Sequence, residues 1–257
     1  MNVFEDRGPA VGNAGQTLAA AHAAHVAAEI PDGILNEVRR VSMVIENTQR
    51  HAFSPIIDGV ETVYIPVRGL LVVDGGTFAQ RPRILGLLYP GDFLNSLSVP
   101  PFEAPRFIGS AASMVLRLPA AKFKQLELEH PAVADWVSRA AIVLQARLRL
   151  HLASLSALTS EMRVASFLAE LGYRLGPSKG GVQSSGGRVS FQMPLSRMEM
   201  ASYLALNADT LSRIMSKFRA DGLISTSGRN GMTLRDFPKL LAETPFASTI
   251  TSLHLRA

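Results

Sequence analysis

The segment that most constrains the fold runs from residue 194 to 236, PLSRMEMASYLALNADTLSRIMSKFRADGLISTSGRNGMTLRD. Ser196 followed three residues later by Glu199 has the form of a capping box, in which each side chain satisfies the other's free backbone N–H. Met200, Ala201 and Leu204 then fall on one buried helical stripe, so the spacing predicts a short helix over 196–205. Asn207 is the cap expected for a second helix. Its inward face is Leu211, Ile214, Met215 and Phe218, and Gly222 stops it. LISTSGRNGMTLRD at 223–236 reads as a hairpin with a glycine-rich turn, and RVSFQM ahead of the capping box alternates like a strand. Two capped helices joined by a tight turn and followed by a hairpin make a helix-turn-helix with a wing. The outward face of the second helix carries Asp209, Thr210, Ser212, Arg213 and Lys217, residue types that hydrogen-bond bases and phosphates.

Charge separates this segment from an ordinary pair of amphipathic helices in an unrelated helical domain. Lys and Arg balance Asp and Glu at 14 and 14 over residues 1–158, whereas residues 159–257 hold 12 against 7, so the whole net charge of +5 lies in the C-terminal part. Lys and Arg that neutralise phosphates supply most of the sequence-independent affinity for DNA, and such asymmetry is its footprint.

The same stretch resembles the Crp/Fnr transcription regulators, whose C-terminal pattern runs LSRQDIADYLGLTxETVSRxxxxLxxxGLI. This chain reads LSRMEMASYLALNADTLSRIMSKFRADGLI, about thirty residues without a gap, and weaker similarity extends over roughly 40–240. The resemblance implies that the second helix enters the DNA major groove. The family motif E-T-V-S-R falls on Asp209-Thr210-Leu211-Ser212-Arg213, which makes Arg213 the expected bidentate partner of guanine O6 and N7. Asp209 could accept from a cytosine amine or, being one methylene shorter than Glu, hold Arg213 through a salt bridge. Ser212 is a base or phosphate contact, and Lys217, Arg197 and Arg229 are phosphate candidates. Ala208 stands where cAMP-responsive members have Arg, so the site should be of the Fnr or FixK type.

Upstream, short apolar runs at 62–67, 70–74, 84–89 and 113–118 alternate with DG, RG, DGG and PGD turns, which predicts an antiparallel β-roll over 45–120. Residues 75–94, GGTFAQRPRILGLLYPGDFL, resemble the cyclic-nucleotide-binding roll of the family. In nucleotide-binding members the G-D-F turn continues with Gly-Glu, and an Arg-Ser or Arg-Thr follows about ten residues on. Here Asn95 and Ser96 replace the first pair and Phe107 follows Arg106, so cAMP is disfavoured and Arg106 is expected to face solvent or pair with an acid. Haem remains a candidate for the sensor input. The chain has no cysteine, which excludes a cysteine-bound iron–sulfur cluster.

Beyond Pro131, residues Val137, Ala141, Leu144, Leu148, His151, Leu155, Leu158 and Met162 recur in steps of four and three. That is a dimer seam, with Val137, Leu144, Leu148, His151 and Leu155 as its central contacts; one long helix packed on its own β-roll is the alternative. Arg139, Arg147 and Arg149 lie off the seam, for solvent or a partner acid to take. Thr159 or Ser160 should cap a further helix ending at Gly172 or Gly176, and 176–187 reads as a surface loop.

At 257 residues and 47% hydrophobic the chain can bury a large core. No run approaches eighteen uninterrupted apolar residues, and the first residues have the wrong charge pattern for a secretory signal, so a cytoplasmic protein without membrane contact is expected. The fold expected is α+β: an N-terminal extension (1–30, with a loose helix at 18–30), a cyclic-nucleotide-binding-like β-roll sensor domain (31–130, opening on a helix at 34–44), a dimerisation helix (131–158) and a winged helix-turn-helix DNA-binding domain (159–257). His22 and His25 could share a helix face, but no third metal ligand accompanies them. The resemblance implies a homodimer that binds double-stranded DNA at a palindromic site and contacts RNA polymerase. No Walker, Rossmann, HExxH or GxSxG motif supports an enzyme. The competing reading is a cyclic-nucleotide-binding module that acts through protein–protein contacts.

Overall fold

The computed structural model describes residues 30–78, 81–95, 98–100, 105–176 and 187–254. The helix expected at 18–30, His22 and His25, and most of the loop at 176–187 lie outside them. Among the described residues the chain opens on α1 (Asp32–Val41). A β-roll follows: β1 (Met43–Asn47), β2 (His51–Phe53), β3 (Ile56–Ile57), β4 (Val60–Arg68), β5 (Leu71–Phe78), β6 (Arg81–Leu88), β7 (Leu94–Asn95), β8 (Arg106–Gly109) and β9 (Ser113–Pro119). One sheet of the roll has the order β1-β9-β4-β3 with β7 beside β4, and the other runs β2-β8-β5-β6. The strand pairs given by register are antiparallel, as the turn-punctuated sequence implied. The lead-in helix stops at Val41, earlier than the sequence suggested, because the chain turns extended at Ser42.

The roll closes around Phe53, Tyr64, Leu71, Leu88, Phe107 and Val115. Tyr64 stands edge-on to Phe107, with ring centroids 5.2 Å apart. After α2 (Ala120–Glu129), the long α3 (Pro131–Ala157) starts with Pro131 in its first turn, where a missing N–H costs nothing. Trp136, buried against Phe93 and Phe123, anchors α3 to the roll.

The inner face of α3 is Val133, Trp136, Val143, Arg147 and Ser154, offset from the seam read in the sequence. Val137 and Leu144 pack on the roll's own clusters, and His151 stacks on Tyr203 of the same chain at 3.9 Å. Leu148 stays exposed, together with Ile142 and Leu152, and Leu155 is half-buried. Arg147 is far from solvent at 6% exposure: it is bonded to Asp92 of the G-D-F turn, the acid that the sequence left unnamed.

Thr159 caps α4 (Ser160–Leu175), its hydroxyl accepting from the Met162 N–H. The helix passes through Gly172 and ends at Gly176. A Cβ at Gly172 would lie 2.6 Å from Phe237 and 2.8 Å from Leu234, so this glycine lets the wing approach and does not break the helix. Next come β10 (Val189–Gln192), α5 (Arg197–Tyr203), α6 (Ala208–Ala220), β11 (Ile224–Ser227), β12 (Gly231–Leu234), α7 (Phe237–Ala242) and α8 (Ala247–His254). The wing sheet has the order β10-β12-β11. No helix among the described residues is long and apolar enough to cross a membrane.

The largest apolar cluster does not respect the boundary between the roll and the C-terminal part. It joins Leu70, Val72, Ile84, Leu87 and Tyr89 of the roll to α4, α5, α6 and the wing. Covered on both faces, β6 reads ILGLL in sequence instead of alternating. Polar ties reinforce the junction. Tyr89 donates to Glu170 (2.6 Å), Ser202 donates to the Pro82 carbonyl (2.6 Å), and Arg50 makes a two-pronged contact with Glu199 at 2.7 Å on both arms.

Two histidines, His254 buried and His151 half-buried, make this junction sensitive to acid. Burial holds His151 at a pKa of about 4 and pushes His254 well below its ordinary value, with Arg174 and Arg147 adding to the effect on His254. Unfolded, both titrate near 6.5. Their neutral forms therefore stabilise the fold fully above pH 6.5; the His151 contribution is lost as pH falls from 6.5 toward 4, and that of His254 is also lost as pH falls below 6.5. For His151 the loss between pH 7 and pH 4.5 is about 2–3 kcal/mol. His151→Phe, which keeps a ring on Tyr203, should lose correspondingly less over that range in urea denaturation; parallel losses in variant and wild type would show that His151 does not titrate as described.

Candidate nucleic-acid interface

The capping box at α5 forms as its sequence implied. Ser196 Oγ accepts from the Glu199 N–H, and the Glu199 carboxylate accepts from the Ser196 N–H at 2.7 Å. Burial alone would raise the Glu199 pKa, but the hydrogen bonds from Arg50 and Ser196 outweigh it and hold the carboxyl below its usual range. Asn207 Oδ1 accepts from the Thr210 N–H at 2.7 Å and starts α6. Leu211, Ile214, Met215 and Phe218 are buried, and Gly222, at φ +72°, turns the chain after α6 so that the Leu223 N–H can return to the Phe218 carbonyl.

With that face committed to the core, α6 presents the opposite one to solvent. Arg213 and Asp209 are exposed and Ser212 and Thr210 half-exposed. Arg213 Nη2 leans on Thr210 Oγ1 at 3.4 Å rather than on Asp209, which leaves the Asp209 carboxylate open at the start of the helix. Arg197, in the first turn of α5, reaches across to Ser212 Oγ at 3.4 Å, so the two helices share one polar surface. Arg229 is exposed at the turn of the wing, between β11 and β12. Lys217 lies one turn beyond Arg213 and is engaged by Glu161 of α4 at 2.6 Å, a contact that raises its pKa. Arg197, Arg213, Lys217 and Arg229 are all exposed, and the contact between Arg197 and Ser212 brings the first of them to the outward face of α6.

Three features escaped the sequence reading. Arg163 of α4 donates to the carbonyls of Leu204 and Ala205, and Ala205 in the turn has φ +51°. The Asp92–Arg147 pair and the Tyr89–Glu170 hydrogen bond lie under the junction. Finally, α7 and α8 extend past the wing and bury His254 beside Tyr89. The start of α7 was legible, since Asp236 caps it and Pro238 follows in the first turn.

In the roll, Arg106 is paired with Asp74 across β5 and β8 at 2.7 Å, one of the two fates its neighbours implied. An anionic effector recruited by that half-exposed guanidinium would compete with Asp74 for its charge. A haem-sized group would have to displace the side chains that fill the roll, Phe53, Tyr64 and Phe107 among them. Among the described residues no group of three or more His, Cys, Asp or Glu stands close enough to hold a metal ion.

A capped helix pair with a shared cationic and hydroxyl-bearing face, a two-stranded wing and a β-roll behind a long helix defines a DNA-binding regulator of the winged helix-turn-helix class. Comparison with known proteins agrees. Residues 162–243 match the Crp-like helix-turn-helix domain. The transcriptional activator protein FnrL of Cereibacter sphaeroides is 28% identical over 191 residues, 72% of this chain and 74% of its own length. The nitrogen fixation regulation protein FixK of Bradyrhizobium diazoefficiens is 28% identical over 186 residues, 72% of this chain and 70% of its own. The structure of FixK2 from Bradyrhizobium japonicum superposes with a TM-score of 0.63 at 21% identity, covering 79% of this chain and 98% of that one. Residues 162–243 thus carry a Crp-like helix-turn-helix domain, and the chain, similar to FnrL and FixK over 72% of its length, is a DNA-binding transcription regulator.

Proposed function

We propose that the protein binds a palindromic DNA site as a homodimer, with α6 of each subunit in the major groove and Arg213 reading a guanine in each half-site. The exposure of Arg213 on a helix whose opposite face is locked into the core carries this reading. Ser212 and Thr210 flank it, and Asp209 is placed to accept from a cytosine amine. Arg197 and Arg229 contact phosphates on either side, and Lys217 does so after exchanging Glu161 for a phosphate oxygen. The division of labour follows the sequence: roll to 130, dimerisation helix over 131–158, DNA-binding domain from 159.

The dimer face we assign to α3 is the stripe of Leu148 and Leu152, with half-buried Leu155 at its edge; Leu148 and Leu152 are large apolar side chains left in water by a single chain. Packing two such stripes about a twofold axis would set the two α6 helices about 34 Å apart, one DNA turn. Leu148→Asp is expected to yield a monomer in analytical ultracentrifugation with the fold intact by circular dichroism; a variant that remains dimeric places the interface elsewhere. The regulator acts in the cytoplasm, contacts RNA polymerase when bound at a promoter, and performs no catalysis.

The decisive test is selection of bound duplexes from a random pool by wild type and Arg213→Ala. A palindrome enriched by the wild type and lost in the variant, with affinity falling steeply as salt rises, is the expected result. Salt-independent indifference to every duplex would instead favour a module working through protein contacts.

A further inference from the structure

The turn between α5 and α6 is built in an unusual way. Ala205 holds φ +51°, the left-handed region that a side chain disfavours. In the family pattern quoted above, YLGLT, a glycine occupies this place; here the chain reads YLALN. The angle of the turn decides how α6 leaves α5, and with it where Arg213 points. Something must keep a strained turn closed.

Arg163 is placed to do so. Its Nη1 donates to the Leu204 carbonyl at 2.8 Å and to the Ala205 carbonyl at 3.4 Å, two acceptors left at the end of α5. A guanidinium there also meets the negative end of the helix. Arg163 itself sits in the first turns of α4, just past the Thr159 cap, where the chain leaves α3. Two residues earlier Glu161 grips Lys217 on α6. The start of α4 therefore holds both the turn and the reading helix.

We propose that Arg163 is a positioning residue for DNA recognition: it fixes the strained turn at Ala205, sets the exit angle of α6, and ties that angle to the end of α3. This rests on the reading of α6 as the helix that meets the base edges. Arg163 makes no contact with DNA in this scheme, so its effect is on discrimination and not on the number of phosphates neutralised.

The test compares wild type, Arg163→Ala, Arg163→Lys, Ala205→Gly and the double variant Arg163→Ala/Ala205→Gly for binding to the selected palindrome and to a scrambled duplex across a salt series, with urea denaturation alongside. Arg163→Ala is expected to lower affinity for the palindrome about tenfold or more at equal folded fraction, the loss from removing a charged hydrogen-bond donor, with the salt slope unchanged. Arg163→Lys recovers part of it. Ala205→Gly restores most of the affinity in the Arg163→Ala background, because glycine holds the turn without help, and it changes little in the wild type. Palindrome affinity unaltered in Arg163→Ala overturns the proposal, as does a salt slope shallower by about one phosphate per subunit or a failure of glycine to rescue. Arg213→Ala run in parallel separates the two ideas. If it abolishes discrimination while Arg163→Ala does not, only the positioning role falls; if it has no effect, the assignment of α6 as the reading helix falls and this inference with it.

Discussion

Arg213→Ala is expected to cost about 1–3 kcal/mol of base discrimination at each half-site, and so about twice that for a symmetric dimer. The loss should be selective. Bases opposite position 213 become degenerate in a binding selection, while affinity for unrelated duplex, which we assign to Arg197, Lys217 and Arg229, falls little. Stability should barely change, because the side chain is exposed and its hydrogen bond to Thr210 is a long 3.4 Å approach. Unaltered base preference in the variant would remove Arg213 from the recognition surface.

Asp92→Ala should be the most destabilising single change at the junction, about 3–5 kcal/mol in urea denaturation. Asp92 accepts from Arg147 and from the Tyr89 N–H, and both carboxylate and guanidinium are more than nine-tenths buried. Removing the acid strands a charge in the interior beside the ring of Tyr89 and leaves an amide without its acceptor. A loss of this size is a third or more of the stability of an average domain. The Arg50–Glu199 pair is the control: Arg50 is one-third exposed, so Arg50→Ala should cost no more than about 1 kcal/mol despite its bidentate geometry. Replacing both members, as Asp92→Asn/Arg147→Met, should cost less than Asp92→Ala, since no bare charge remains. Equal costs for Asp92→Ala and Arg50→Ala would mean that the buried pair is solvated in the native state.

The winged helix-turn-helix was readable because its signals are local. A serine and a glutamate three residues apart, an asparagine before a helix and a glycine after one act over a single turn, and their hydrogen bonds form wherever the segment is placed. The β-roll was readable in outline for the same reason, from turns that punctuate apolar runs. The face of α3 was harder. Its apolar residues recur in steps of three and four on two adjoining stripes, so periodicity identified a helix but could not choose the stripe that packs on the roll. The steps of four and three place Val137 and Leu144 at a subunit seam, whereas both pack on clusters of their own chain, and Ile142 and Leu152, which the seam omits, stand open to solvent.

Some pairings no spacing rule could reach. Arg147 finds Asp92 from 55 residues away and Arg163 finds Leu204 from 41, and Lys217 takes Glu161 from 56. What the order of residues determined alone was the set of capped, punctuated elements and the groups that α6 offers outward. Only the tertiary structure decided which charges are buried, which carbonyls receive Arg163, and that the C-terminal module rests on its own roll. Capping and turn energies depend on neighbours along the chain, whereas burial and ion pairing depend on which distant surfaces meet.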